Sequence, residues 1–327
     1  VIQIPRSLDD SLMHRIAVMY YIENLSQEQI SVRVDLSRPQ ISRYLKRARE
    51  VGMVEININE PYDKKLDELA SGIKRILGLQ EVVIAPLGRG RSGASPELLD
   101  SIAARASSFL PSLIADSNVI GVGWGRTLYK TVLLVDNHEQ YALHKDKLFV
   151  PLIGGIGQTA PFYQVNNMVD RLAEKFGARR VFFNLPAFVN GGEIYRQGLS
   201  PNSLSVIEEH WAKLDLAIVG LGTPRGALTA EIETSILEKL RSQGAVGDIL
   251  GQFLDVEGEI CESGMEENLA GLPISRLKKV KRVVCLSGGK EKVNGIVVAA
   301  RAGYFNILIT DEFTARSILE ITGGDCG

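Results

Sequence analysis

The chain has 327 residues, of which 45% are hydrophobic and 23% charged, and its formal net charge is −2. That near-neutral balance excludes a polybasic nucleic-acid coat, so any DNA affinity must come from a local patch. No apolar run approaches the ~18 residues of a membrane span, and the length suggests about two domains at roughly 150 residues each. No secretory signal is visible at the N-terminus. Cys261, Cys285 and Cys326 show no metal or redox spacing and fit reduced thiols, so the expected location is the cytoplasm. The histidines (14, 138, 144 and 210) form no ligand pattern, and neither a metal nor a cofactor is expected.

Residues 8–24 read as a first helix, with Leu12, Ile16 and Met19 at helical spacing and Asp9 and Asp10 where the helix dipole favours acids. Two helix starts follow. Ser26 with Gln29, and Ser37 with Gln40, each fit S-x-x-Q, the capping box. Pro39 lies in the first turn of the second helix, where a missing N–H costs little. Asp35 and Leu36 supply the turn between them, so the spacing predicts a helix-turn-helix motif. Ile41, Leu45 and Ala48 face a small core. The opposite face carries five basic residues (38, 43, 46, 47 and 49) against the single acid Glu50. Ser37, Arg38, Gln40, Ser42, Arg43, Lys46 and Arg47 are the expected DNA contacts, because guanidinium, amide and hydroxyl groups suit base edges and phosphates. The alternative is a solvated helix face.

Gly52 is a candidate C-cap, and Val54–Ile58 alternates as a short strand, a possible wing along DNA. Residues 62–78 form an amphipathic helix through Leu66, Leu69, Ile73, Ile76 and Leu77, read as a linker that can also serve as a dimer contact. The expected organisation is a DNA-binding domain over 1–60, a linker helix over 61–80 and an effector-binding and oligomerisation domain over 81–327. In the last, strand candidates at 81–86, 118–123, 148–153, 180–185, 215–220, 282–287 and 306–310 alternate with helical patterns. Apolar strands alternating with helices imply an α/β fold with a mainly parallel sheet covered on both faces. The segment Gly88–Gly93 reads as a surface loop.

Ligands in such sheets bind outside the carboxyl ends of the strands. Four glycine-rich turns fall there: Gly121–Thr127, Gly154–Thr159, Gly220–Pro224 and Gly288–Lys292. Glycine lets a backbone approach a ligand, and a helix N-terminus favours an anion. The first is not a dinucleotide fingerprint, since Arg126 stands where G-x-G-x-x-G needs glycine. Each alone fits a tight βα turn; together they favour a polyol or phosphate pocket. Asp248 can accept sugar hydroxyls, Lys292 can meet a phosphate, and Trp124 can stack on a sugar face. The bland alternatives are a turn residue, a solvated side chain and a core residue.

Several ordered blocks carry a resemblance that covers nearly the whole chain: Ser37–Arg43 (SRPQISR), Ile120–Thr127 (IGVGWGRT), Val150–Gly155 (VPLIGG), Gly247–Gly251 (GDILG) and Asn306–Asp311 (NILITD). The chain resembles the SorC-type sugar-binding transcriptional regulators. The resemblance implies an effector domain similar to the glucosamine-6-phosphate deaminase and ribose-5-phosphate isomerase folds. It also implies a dimer or tetramer on double-stranded operator DNA, and a sugar, polyol or sugar-phosphate effector. The implied effector positions are Gly123, Trp124, Gly125, Arg126 and Thr127 in the first turn, Gly154, Gly155, Gly157 and Gln158 in the second, and Asp248 and Lys292. Some relatives place a Lys before the double glycine and form a Schiff base with an aldehyde sugar. Here that residue is Ile153, which excludes an adduct at that position. The rival reading is a sugar-phosphate isomerase or deaminase, using Asp248, Asp255, Asp311 or Glu312 as acid or base. No carboxylate–histidine pair stands out for that role, and no catalytic residue is expected. A third reading is a sugar-binding protein whose helix pair serves protein contacts.

Overall fold

The computed structural model describes residues 6–23, 25–54, 64–86, 96–135, 145–156, 164–188, 201–225, 232–264 and 268–323. The chain forms two compact units, Val1–Tyr62 and Asp63–Gly327.

The first unit consists of α1 (Arg6–Tyr21), α2 (Gln27–Val34) and α3 (Arg38–Glu50). Ser26 Oγ accepts from the Gln29 N–H at 3.2 Å, and Gln29 Oε1 accepts from the Ser26 N–H at 2.9 Å, so both halves of the first capping box are made. Asp35 closes α2 in the left-handed conformation at φ 52°, which a short polar side chain tolerates better than most. Ile16, Met19, Ile30, Ile41 and Leu45 form the core between the three helices. The residues beyond Val54 expected as a strand, and the Gly88–Gly93 loop, lie outside the described residues.

The second unit is built on a seven-stranded parallel sheet: β1 (Glu81–Ala85), β2 (Val119–Val122), β3 (Leu148–Pro151), β4 (Arg179–Arg180), β5 (Leu216–Gly220), β8 (Arg282–Leu286) and β9 (Ile307–Asp311). Their spatial order is β1-β9-β8-β5-β2-β3-β4. Six of them fall where the alternating pattern predicts strands; β4 is only Arg179–Arg180 and meets the expected 180–185 at its first residue alone. Successive side chains face opposite layers, as a period of two requires. Ala217, Val219, Val283, Cys285 and Leu308 enter one core, while Leu216, Ile218, Val284, Leu286, Ile307 and Ile309 enter the other. The second core is covered by α5 (Pro96–Ala115), α6 (Arg126–Leu134) and α7 (Val165–Lys175). The first takes α4 (Lys64–Leu77), α8 (Pro201–Trp211), α9 (Thr234–Ser242), α10 (Val293–Arg301) and α11 (Glu312–Thr322).

Two features differ from the sequence expectation. The helix read as a linker, α4, is packed into the α/β unit: Leu69, Ile73 and Leu77 are buried in its core. An antiparallel hairpin, β6 (Gly247–Ile249) and β7 (Gln252–Leu254), stands apart from the main sheet and carries Asp248. From β2 the chain winds outward through β3 to β4. It then returns to pair β5 with β2 on the other side and winds away through β8 and β9. This reversal between β2 and β5 opens a crevice at their carboxyl ends.

Candidate functional site

A cavity of about 640 Å³ lies over that crevice. Its walls come from the segments after four neighbouring strands. Gly288, Gly289, Lys290, Glu291 and Lys292 follow β8, and Gly220, Gly222, Thr223 and Arg225 come from the end of β5. Trp124, Gly125, Arg126 and Thr127 follow β2, and Ile153 and Ile156 follow β3. Asp248, Leu250 and Gly251 enter from the hairpin, and Leu98 and Leu99 from α5.

Glycine is needed at two of these turns because a carboxylate occupies the space a side chain would take. A Cβ on Gly222 would stand 2.0 Å from Asp248 Oδ1. The Gly222 N–H also donates to Asp248 O at 2.9 Å, and the Asp248 N–H to Gly222 O at 3.3 Å, so the turn after β5 is tied to the hairpin. A Cβ on Gly288 would stand 2.2 Å from Asp311 Oδ2. Asp311, fully buried, caps α11 by accepting from the Thr314 N–H at 2.9 Å and the Thr314 hydroxyl at 2.6 Å. Thr314 Oγ1 in turn accepts from the Gly289 N–H at 2.7 Å, which fixes the turn below Lys292. At the first turn Gly125, at φ 145°, is the N-cap of α6 in a conformation side chains rarely adopt. The first N–H groups of α6 have no partner within the helix and suit an anion.

The hairpin turn is strained in the opposite sense. Leu250 and Gly251 both have positive φ, 52° and 77°, as a two-residue hairpin turn of this kind requires. A leucine there costs roughly 1–2 kcal/mol. It is held by burial: a Cβ on Gly123 would meet Leu250 Cδ2 at 3.1 Å.

Burial raises the Asp248 carboxyl to about 6, against the opposing pull of the Lys292 ammonium and the Gly251 N–H. Burial also lowers Lys292, opposed by Cys285 and Asp248 and assisted by the Arg126 charge. The Cys285 thiol is pushed up to about 12 by burial, less the effect of Lys292. Asp248, Lys292 and Arg126 therefore share one field. A carboxyl that accepts hydroxyls beside two cations and a helix N-terminus can orient a small polyhydroxylated anion.

The expected contacts Trp124, Gly125, Arg126, Thr127, Asp248 and Lys292 all line this cavity. Gly123 sits behind it, its N–H on Ile218 O at 2.8 Å. Gly154 and Gly155 do not line it, a correction to the reading of the second turn. A Cβ on Gly154 would lie 2.4 Å from Leu185 O, and the Gly155 N–H donates to Leu185 O at 2.7 Å. Both glycines serve a close backbone crossing. Gly157 and Gln158 lie outside the described residues. Gly222, Thr223, Lys290 and Glu291 lie in glycine-rich turns the sequence marks but does not single out; Arg225 and the two leucines of α5 were missed. The glycine-rich turn after β5 was visible, but its privileged place follows only from the strand order.

The other nominated carboxylates have structural partners. Asp255 accepts from the Glu257 and Glu259 N–H groups at 2.9 and 3.0 Å, Asp311 caps α11, and Glu312 pairs with Arg316 at 2.8 Å. Among the described residues no group of His, Cys, Asp and Glu could hold a metal ion. No described helix is long and apolar enough to cross a membrane. In the first unit, Ser37, Arg38, Gln40, Ser42, Arg43, Lys46 and Arg47 are all exposed on one face of α3.

A ligand cleft at the switch point of an α/β sheet, in a chain that also carries a basic-faced three-helix unit, defines a ligand-binding regulator. The family model described as "Putative sugar-binding domain" matches residues 63–320. The chain belongs to this family, the SorC-type sugar-binding transcriptional regulators. It is 29% identical to the sorbitol operon regulator of Klebsiella pneumoniae over 95% of this chain and 98% of that one. It is 28% identical to the deoxyribonucleoside regulator of Bacillus subtilis over 93% and 95%. The crystal structure of the full-length Klebsiella pneumoniae regulator SorC superposes with a TM-score of 0.79 at 29% identity, covering 95% of this chain and 99% of that one. That of a probable sor operon regulator from Shigella flexneri gives 0.71 at 25% identity, covering 78% and 100%. These relatives are transcriptional regulators, not enzymes.

Proposed function

We propose that this chain is a cytoplasmic, homo-oligomeric regulator that binds operator DNA through the helix-turn-helix formed by α2 and α3, and that answers to a sugar, polyol or sugar phosphate held in the cleft. It controls a carbohydrate or polyol catabolic operon, as the names of its relatives indicate for them. The observation that carries this reading is the cleft itself: Asp248 and Lys292, from separate elements, line one cavity, and the Asp248 carboxylate takes the space that a side chain at Gly222 would need. The exposed basic face of α3 supplies the other half.

An effector shifts an equilibrium only by its differential affinity for the two states. It must therefore bind better to the arrangement that grips the operator less well, or the reverse in an activator, and the coupling is reciprocal. A thermal-shift screen of pentoses, hexoses, polyols and their phosphates identifies the effector. An operator titration with and without it, for wild type and Asp248→Ala, then tests the site. The variant is expected to hold the operator normally and to ignore the effector. A wild-type response in Asp248→Ala would place the effector elsewhere.

A further inference from the structure

We infer that Leu250 is a positioning residue for the effector: from the hairpin turn, its side chain holds the Trp124–Thr127 turn at a set distance from Asp248. This rests on the reading of the cleft as the effector site and adds what keeps its two sides in register. Leu250 and Gly251 form the two-residue turn between β6 and β7, with φ of 52° and 77°. A turn with both central residues at positive φ strongly favours Asn-Gly, Asp-Gly or Gly-Gly. Leucine is a poor choice for the backbone there, since its Cβ crowds the following carbonyl oxygen. Any of the usual residues would close the hairpin with less strain, so the turn itself does not explain this side chain.

Its surroundings do. Leu250 is buried and lines the cleft. Its Cδ2 lies 3.1 Å from where a Cβ on Gly123 would stand. The same Cβ would meet Ile218 O at 3.1 Å and Val219 Cα at 3.3 Å, and the Gly123 N–H donates to Ile218 O at 2.8 Å. The end of β2 is thus packed against the β5 backbone and Leu250 together. The residues that follow, Trp124, Gly125 and Arg126, wall the cleft and start α6. On the hairpin side, Asp248 is tied to Gly222 by backbone hydrogen bonds of 2.9 and 3.3 Å, and the Gly251 N–H acts on its carboxylate. Leu250 therefore joins the carboxylate side of the cleft to its helix-start side. The alternative is a leucine that only fills the core, whose loss would change binding only as far as it changes folding.

Erythritol 4-phosphate, 2-deoxyribose 5-phosphate and sorbitol 6-phosphate serve as probes, each titrated calorimetrically into the full chain. At least one is expected to bind the wild type and to lose its binding in Asp248→Ala. Leu250→Ala and Leu250→Gly remove the same side-chain reach but differ in backbone strain, because glycine takes a positive φ freely. The glycine variant should melt above the alanine variant. Both should nevertheless bind the probe roughly tenfold more weakly than wild type, the scale of one lost charge-assisted hydrogen bond. Leu250→Met, which keeps the volume, should bind within about threefold of wild type. Wild-type affinity in Leu250→Gly, affinities that rise and fall with melting temperature, or a Leu250→Met as weak as Leu250→Ala overturns the inference, while loss of binding in Asp248→Ala still marks the cleft as the site. Binding untouched by Asp248→Ala, or absent for all three probes, overturns the inference together with the site.

Discussion

Gln40 spends its carbonyl oxygen on its own helix. Oε1 accepts from the Ser37 N–H at 2.9 Å and from the Ser37 hydroxyl at 2.7 Å. Reading adenine needs the carbonyl and the amide of one glutamine together, so Gln40 as placed offers DNA only its amide. Arg43, exposed one turn later, donates only its Nε within the helix, to Pro39 O at 3.5 Å. Arg43→Ala is therefore expected to relax discrimination at one operator base pair by about 1–3 kcal/mol. Gln40→Ala should weaken binding to every sequence alike and destabilise the first unit by about 1 kcal/mol, the worth of a cap. Titrating both variants against an operator series with single base-pair changes separates the two outcomes; loss of discrimination at one position in Gln40→Ala would return it to base reading. Asp248 carries a pH signature of its own. Its pKa rises from 3.8 to about 6 in the folded chain, so the native state binds more protons than the unfolded state between those values. Stability then falls as pH rises through that window. Two pH units correspond to about 3 kcal/mol as an order of magnitude. Asp248→Asn should lose this fall, so its stability relative to wild type rises between pH 4 and pH 6. Urea denaturation at both pH values reads it, and parallel profiles would contradict the buried charge.

Among the elements, the hairpin β6–β7 decides the site, and it was the one element the sequence pattern did not reveal as a pair of strands. Each strand has only three residues, all of them buried, so neither alternation nor length marks it. Six of the seven sheet strands were legible because their apolar runs are separated by helical patterns. Trp124, Arg126, Asp248 and Lys292 were legible because chemistry-bearing side chains stand beside glycines. Gly154 and Gly155 were misread for the converse reason. A glycine that admits a crossing backbone looks the same in sequence as one that admits a ligand. The structural difference gives a sharp expectation. In Gly222→Ala the new methyl must displace the Asp248 carboxylate, since no position for both exists at 2.0 Å. Its operator complex should then respond to effector as poorly as that of Asp248→Ala, with operator affinity unchanged. An effector titration of the operator complex reads this directly, and a normal response would mean that Asp248 is not a contact.

At the scale of the whole chain, the change from helical to alternating pattern near residue 81 was legible, but the boundary it implied was late. Amphipathic periodicity marks α4 as a helix with an apolar stripe without saying which core takes the stripe. The structure assigns Leu69, Ile73 and Leu77 to the α/β unit, whose compact limit begins at Asp63. Each such side chain contributes about 1.5–3 kcal/mol when fully buried. The three together amount to several kcal/mol, a large share of the ~5–15 kcal/mol that holds a typical domain. A fragment of residues 63–327 is therefore expected to unfold in one cooperative transition and to bind effector as the full chain does. A fragment of residues 81–327 should melt lower or aggregate, because the groove that α4 fills along β1 and α11 would be left open. Calorimetry on both fragments, with and without effector, measures the difference. Equal melting temperatures would show that α4 is a linker after all, and a ligand-blind 63–327 fragment would show that the cleft depends on the first unit.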